Sequence, residues 1–292
     1  MTTYTFANMA GSVGKTTTVV NLSIPLAAEG LRVRVIDLDP QANLSTLLGY
    51  PATNGITSAD VLRQNASIAE AERPARLRAY ISDETGQPVY TGDPDYEIAN
   101  LTIVPAARNT LDKVTVELTG AGIGGFTRLY DALTEAEPVD VTFIDCPGTG
   151  NALVTNALIA TSVDEDKSES SWGVISCIKP AGKEAEGLET LMAAIAEIKK
   201  TVRLDIPLQA IVPCAVSSRA MIHSEQLSEL QTVFGDKLTP SVRHRTIVDE
   251  AYTKYVPVPF VGHRAKEINE DYAKVLQRLK DLGLFRGAVV DA

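Results

Sequence analysis

The residues richest in chemical possibility lie near the N-terminus. There a short apolar run at residues 4–8 gives way to Met9-Ala10-Gly11-Ser12-Val13-Gly14-Lys15-Thr16-Thr17. Glycines at 11 and 14 let the backbone turn so that successive N–H groups point inward, a geometry that cradles phosphate oxygens. A helix starting at Lys15 adds the partial positive charge of its N-terminus. In that setting the Lys15 ammonium reaches terminal phosphates and the Thr16 hydroxyl ligates Mg²⁺. Residues Gly11 to Thr17 are therefore the predicted nucleotide contacts. The pattern Gly-x4-Gly-Lys-Ser/Thr is broken at its first position, where Met9 stands. Gly-Lys-Thr alone is common by chance, and the strand before it and the helix after it give it meaning.

Two later runs end in acids. Residues 32–38 lead into Asp37-Leu38-Asp39-Pro40, and residues 139–145 into Asp145-Cys146-Pro147-Gly148. Ligands of open α/β sheets bind outside the C-terminal ends of the strands, so these carboxylates fall beside the phosphate loop. Asp37 is expected to hold a metal-bound water, Asp39 to orient or deprotonate an attacking water, and Asp145 to stand in the Mg²⁺ shell. Either acid run alone reads as a turn or helix cap. The three strand ends in order make a joint signal.

Positioning these groups requires a layered scaffold. Further strand-like runs occupy residues 101–106, 173–178, 208–214 and 255–260. Across 183–200, Leu188, Leu191, Met192, Ile195 and Ile198 recur at helical spacing. Strands alternating with helices predict an α/β fold with a mostly parallel twisted sheet flanked by helices. Pro25 predicts a kink or early end in the first helix. Residues 64–98 read as a polar insertion, 164–171 as an acidic loop, and Gly120–Gly125 as a loop with no strand before it. No linker divides the chain, so residues 1–292 read as one domain.

The 292 residues are 45% hydrophobic, enough for a sizeable core, with a net charge of -10. Taken whole, that charge argues against a general polyanion binder. It is unevenly spread. Residues 199–292 hold 14 Lys/Arg against 11 Asp/Glu, while residues 1–198 hold 13 against 26. Three cysteines in separate apolar runs argue against a disulfide framework or a zinc site. The N-terminus lacks secretory features and no run is long enough to span a bilayer, so a cytoplasmic protein is expected.

Taken together, MAGSVGKTTTVVNLS, VRVIDLDPQANLSTLLG, LTIVPA, VTFIDCPG, VISCIKP with its GLETL helix, and IVPCAVSSR resemble the ParA/MinD family of deviant Walker A ATPases, most closely its small ParA-type partition branch. The later VRHRTIVDEA segment and the closing helix fit in position, so the likeness spans nearly the whole chain. It implies a P-loop NTPase fold of the SIMIBI-like type. It also implies ATP and Mg²⁺ as ligands, Lys15 and Asp39 as catalytic residues, and Thr16, Asp39 and Asp145 around the metal, partly through water. Family members form ATP-dependent homodimers, bind double-stranded DNA non-specifically and are stimulated by a ParB-type centromere-binding protein. A cytoplasmic, nucleoid-associated protein is implied.

One departure stands out. The family's signature lysine, which reaches the partner subunit's phosphates, falls at Ala10, and its second loop glycine at Ser12. A trans cation of this kind acts like an arginine finger, whose contribution elsewhere is ~10³–10⁵ in rate. Lys179, Lys183, Arg108 and Arg219 are candidate substitutes. Arg219 falls in the loop where partition ATPases carry a DNA-contacting arginine, and Arg243, His244 and Arg245 precede a helix-like stretch followed by Lys254. Arg219, Arg243 and Arg245 are the DNA candidates. The bland alternative is a solvated face with local pairs such as Arg245 to Asp249. A MinD-like ATPase would instead grip membrane with the amphipathic closing helix, residues 270–282, although closing helices of this fold normally pack on the sheet. A third reading, prompted by Ala10, is an ATP-binding regulator with weak hydrolysis.

Overall fold

The computed structural model describes residues 2–51, 53–77, 80–82, 88–90, 96–163, 171–180, 183–217 and 220–285. In chain order the strands are β1 (Thr2–Phe6), β2 (Val33–Asp37), β3 (Arg73–Leu77), β4 (Tyr80–Ser82), β5 (Pro88–Tyr90), β6 (Tyr96–Val104), β7 (Val141–Asp145), β8 (Trp172–Ile178) and β9 (Leu208–Pro213). The helices are α1 (Lys15–Ala28), α2 (Asn43–Leu47), α3 (Ser58–Leu62), α4 (Ile68–Ala71), α5 (Thr110–Gly120), α6 (Ile123–Phe126), α7 (Arg128–Glu135), α8 (Ala152–Ala160), α9 (Lys183–Val202), α10 (Met221–Phe234), α11 (Thr246–Thr253) and α12 (Lys266–Asp281). Seven strands form one sheet in the order β3-β6-β2-β7-β1-β8-β9, while β4 and β5 pair with each other. Every neighbouring pair in the large sheet is parallel except β3 with β6.

Parallel strands covered on both faces are buried end to end, and β1, β2 and β7 are. On one face Tyr4, Phe6, Val35 and Phe143 pack with Leu22 of α1 and Val275 of α12. On the other, Ile36, Ile144 and Val174 pack with Leu111, Leu153 and Leu191. Arg34 lies fully inside β2 and is tolerated because Glu72 accepts two hydrogen bonds from it, at 2.9 and 2.8 Å. The register sets Phe6 and Asp37 level with Asp145 on either side. All three connections that carry chemistry therefore leave the sheet at one edge.

Several expectations need correction. Residues 255–260 are not a strand: Pro257 and Pro259 carry no N–H for a ladder, and a 3₁₀ turn forms at Val258–Phe260. Within the expected insertion, α4 buries Ile68 and Ala71, and β3 adds an antiparallel edge to the sheet. Helix α1 runs one turn past Pro25, where Glu29 N–H donates to the Pro25 carbonyl at 3.0 Å. The acidic loop at 164–171 falls almost wholly outside the described residues. In α12, Tyr272, Val275, Leu276 and Leu279 are buried in the core, so that apolar face is already occupied. No described helix is long and apolar enough to cross a membrane.

Candidate functional site

The loop after β1 is braced on both sides. The Asn8 side chain donates to the Cys177 carbonyl at 2.8 Å and accepts from Ala10 N–H at 2.9 Å, while Met9 N–H donates to the Gly187 carbonyl of α9 at 3.2 Å. From the β7 side Gly148 presses against it; a Cβ there would come within 2.6 Å of Gly11 Cα. Ser12 takes φ +58° and Gly14 φ +94°, left-handed conformations that explain why glycine suits both positions. Gly14 then opens α1 as its N-cap, and Lys15, Thr16 and Thr17 form the first turn. Lys15 is 6% exposed, and its ammonium turns back to the carbonyls of Ala10 at 2.9 Å and Asn8 at 3.3 Å. That holds a cation over the concave side of the loop.

The acids divide into two kinds. Thr16 donates through Oγ1 to Asp145 Oδ2 at 2.6 Å, while Asp145 Oδ1, also buried, has no donor among the described residues. Burial, and then the nearby Asp37 charge, push the Asp145 carboxyl well above the usual carboxylate range. Asp37 is fully buried, accepting from Asp39 N–H at 3.0 Å and from the Ser45 N–H and hydroxyl at 2.8 and 2.7 Å. Burial raises it to about 7 against the pull of those donors. In this geometry Asp37 braces residues 38–45 through the Asp39 and Ser45 donors. Asp39 is half-buried, lines the cleft, and caps the next turn by accepting from Gln41 N–H at 2.9 Å.

Gly11–Thr17 and Asp39 floor a cleft of about 500 Å³, within the span of small-molecule sites. Its far wall is built by Val242–Arg245 and by Val248 and Tyr252 of α11. The Tyr252 hydroxyl donates to Asn43 Oδ1 at 2.5 Å, joining α11 to α2 beside the cleft. Two of the residues singled out for DNA, Arg243 and Arg245, also line this wall. Arg243 forks onto Asp271 at 2.6 and 2.8 Å, and Arg245 pairs with Glu267 at 2.7 Å, so Asp249 is not its partner. Arg219 and the side chain of Lys183 fall outside the described residues, and neither Lys179 nor Arg108 lines the cleft. Cys146, Cys177 and Cys214 are free and buried; Cys214 packs under Gly14.

Among the described residues there is no group of three or more His, Cys, Asp or Glu able to cage a metal ion. A Thr hydroxyl beside a carboxylate with an orphan oxygen fits Mg²⁺ instead, which dehydrates reluctantly and takes one or two protein oxygens with phosphate and water.

Comparison with known proteins shows the family of the chain. The AAA domain family matches residues 1–208. The chromosome partitioning protein ParA of Caulobacter vibrioides is 32% identical over 257 residues, covering 86% of this chain and 84% of that one. The chain belongs to the ParA/MinD family of P-loop ATPases. Within that family, the sporulation initiation inhibitor protein Soj of Bacillus subtilis is 26% identical over 278 residues, 91% of this chain and 94% of its own. A plasmid partition protein of Borrelia burgdorferi, described as putative and bound to AMPPNP, superposes with a TM-score of 0.74 at 17% identity, covering 96% and 98%.

Relative to the ParA-type motifs, sequence reasoning passed over Asn8, Gly187, Asp271 and Tyr252. Asn8 carried a signal, a polar residue closing a buried strand just before the glycines. The others act across 28 to 209 residues of chain, where local spacing is silent.

Proposed function

We propose that this ParA-family chain is a partition ATPase that hydrolyses ATP to ADP and phosphate, slowly without its partner. It pairs as an ATP-dependent homodimer, binds double-stranded DNA without sequence preference, and answers to a ParB-type centromere-binding protein on a plasmid or chromosome. It works in the cytoplasm, associated with the nucleoid. One observation carries the reading: the braced loop, the Thr16–Asp145 contact and Asp39 converge in a single cleft.

The amides of Gly11 to Thr17 and the Lys15 ammonium bind the triphosphate. Thr16 and Asp145 would hold Mg²⁺, partly through water, and the ion would supply neutralisation of the phosphate charge. Asp39 orients the attacking water for in-line displacement. DNA contact rests chiefly on Arg219. Arg243 and Arg245 reach phosphates by exchanging the carboxylates of Asp271 and Glu267 that now hold them, and that contact is salt-sensitive. The packed apolar face of α12 disfavours the membrane reading. A second reading, weak hydrolysis in a nucleotide-gated regulator, is favoured by Ala10, whose Cβ lies under α9 where a cation is implied by the family.

The test is DNA retention at low salt with and without ATP. Retention should require ATP and vanish in Lys15→Ala. In Asp39→Ala, ATP-dependent retention should persist while hydrolysis falls by ~10²–10⁴. The reading fails if ATP-bound protein ignores DNA and Arg219→Glu changes nothing.

A further inference from the structure

Helix α10 is fourteen residues long and buries only His223, although it carries Met221, Ile222, Leu227, Leu230, Val233 and Phe234. Met221 and Val233 are each 72% exposed, and Ile222 is 49% exposed. A surface helix normally hides its apolar stripe against a neighbour, and this one leaves much of it in water. Between α10 and α9 lies a groove of about 450 Å³, whose apolar walls are Leu188 and Met192 from α9 and Leu230, Val233 and Phe234 from α10.

The charge around the groove is one-sided. Glu189 and Glu229 line it, and Glu186 and Glu225 are exposed on the same two helices. No lysine or arginine occurs between residues 184 and 198 or along Met221–Phe234. The Gln226 Oε1 in the groove wall is shielded from solvent and lacks a donor among the described residues. Such a rim repels DNA phosphates and anionic lipid. It also opposes a symmetric α10-to-α10 contact, which would bring Glu225 and Glu229 against their own copies. An apolar channel with an acidic rim selects a ligand that is apolar on one side and cationic on the other.

We propose that the α9–α10 groove is a docking site for a basic amphipathic helix of another protein, separate from the nucleotide cleft. Its apolar stripe would lie between Met192 and Val233, with lysines or arginines reaching Glu189, Glu225 and Glu229. Occupancy would also be felt at the phosphate loop, because the residue before Leu188 is Gly187, whose carbonyl holds Met9.

The probe is a fluorescent 18-residue peptide of leucine and lysine at helical spacing, measured by anisotropy against the full chain at low ionic strength. Binding is expected to weaken about 10-fold in Glu189→Lys/Glu229→Lys and in Val233→Asp. It should be unchanged in Glu135→Lys/Glu137→Lys, which changes the net charge by the same amount at exposed positions elsewhere. A scrambled peptide of the same composition should bind at least 10-fold more weakly, since it lacks one apolar face. Equal binding of the two peptides, or equal loss in Glu135→Lys/Glu137→Lys, would mean attraction to net charge alone and would overturn the proposal. So would a concentration-dependent dimer, seen by sedimentation, that Val233→Asp abolishes. That result assigns the groove to a second copy.

Discussion

Arg243 and Asp271 are joined by a two-pronged contact, Nε to Oδ2 at 2.6 Å and Nη2 to Oδ1 at 2.8 Å, and the Arg243 N–H adds a third bond to Oδ2 at 3.1 Å. The carboxylate side chain is 5% exposed. Burial works against its charge, yet the bonds from Arg243 outweigh it and hold the carboxyl below the ordinary range. Because Asp271 precedes Tyr272, which meets Thr18 of α1 through its hydroxyl at 3.2 Å, the cleft wall and the phosphate-loop helix share one strut.

That strut predicts strong coupling. Arg243→Ala and Asp271→Ala should each weaken ATP binding and lower the thermal midpoint, and the double variant should be little worse than either alone. A thermal-shift and nucleotide-titration cycle measures this. If instead Arg243→Ala leaves nucleotide affinity intact and removes only DNA retention, Arg243 belongs to the DNA surface.

The contact of Thr16 with Asp145 predicts the metal dependence. Among the described residues, one buried oxygen of Asp145 meets no donor, which is costly unless a cation or donor reaches it. Chelating Mg²⁺ with EDTA should therefore weaken retention of a fluorescent ATP analogue by about 10-fold or more. In Asp145→Ala the same chelation should make little difference, since the metal-dependent part is already lost. Full EDTA sensitivity in that variant would remove Asp145 from the metal shell.

Asp37 sets the pH dependence of the nucleotide-free protein. Its carboxyl is raised by burial to about 7 when folded, against about 3.9 in an unfolded chain. Between those values the folded state holds a proton that the unfolded state has released, so stability falls as pH rises through that window. Asp145, also raised, acts in the same direction. Thermal melts should show a higher midpoint at pH 6 than at pH 8. Ser45→Ala removes a hydroxyl donor that favours the carboxylate, and should make the decline continue to higher pH. A midpoint that climbs from pH 6 to 8 would contradict the assignment.

Much of this was legible in order along the chain. The strand–loop–helix around Lys15 and the acid ends of β2 and β7 are local patterns, and parallel pairing then sets Asp37 and Asp145 level without further information. Other parts resisted for physical reasons. Val256-Pro257-Val258-Pro259-Phe260 has the apolar content of a strand, but two prolines deny it the ladder. Strand β3, with Arg73, Pro74 and Arg76, looks polar because it is an edge, where charge and proline guard against stray pairing. The true partner of Arg245 is 22 residues away on α12, beyond any helical spacing count.

Tyr252 and Asn43 predict a kinetic effect. Their hydrogen bond links α11 to the segment that follows Asp39, so breaking it should ease opening of the cleft. Tyr252→Phe deletes the donor while keeping the ring, and a typical bond of this kind is worth about 1 kcal/mol. Nucleotide release, followed by displacement of a fluorescent ADP analogue in stopped flow, should speed up about 5-fold. An unchanged release rate would show that the bond does not restrain the cleft.

Ala10 offers the most direct separation of the two functional readings. A Cβ at Gly187 would sit 2.8 Å from the Ala10 Cβ, so the α9 backbone closes over this side chain, and only its half-exposed side is open to a longer one. The Ala10 carbonyl that holds Lys15 belongs to the backbone and survives substitution. Ala10→Lys should therefore still bind ATP. If a partner subunit's phosphates lie within reach, the added ammonium acts in trans and hydrolysis should rise at least 10-fold, given ~10³–10⁵ for arginine fingers elsewhere. Because the effect needs two chains, specific activity should increase with protein concentration more steeply than in the parent. A folded Ala10→Lys protein whose hydrolysis stays at the parental rate at all concentrations would mean that no second subunit presents its phosphates there, and the weakly hydrolysing regulator would be the better description.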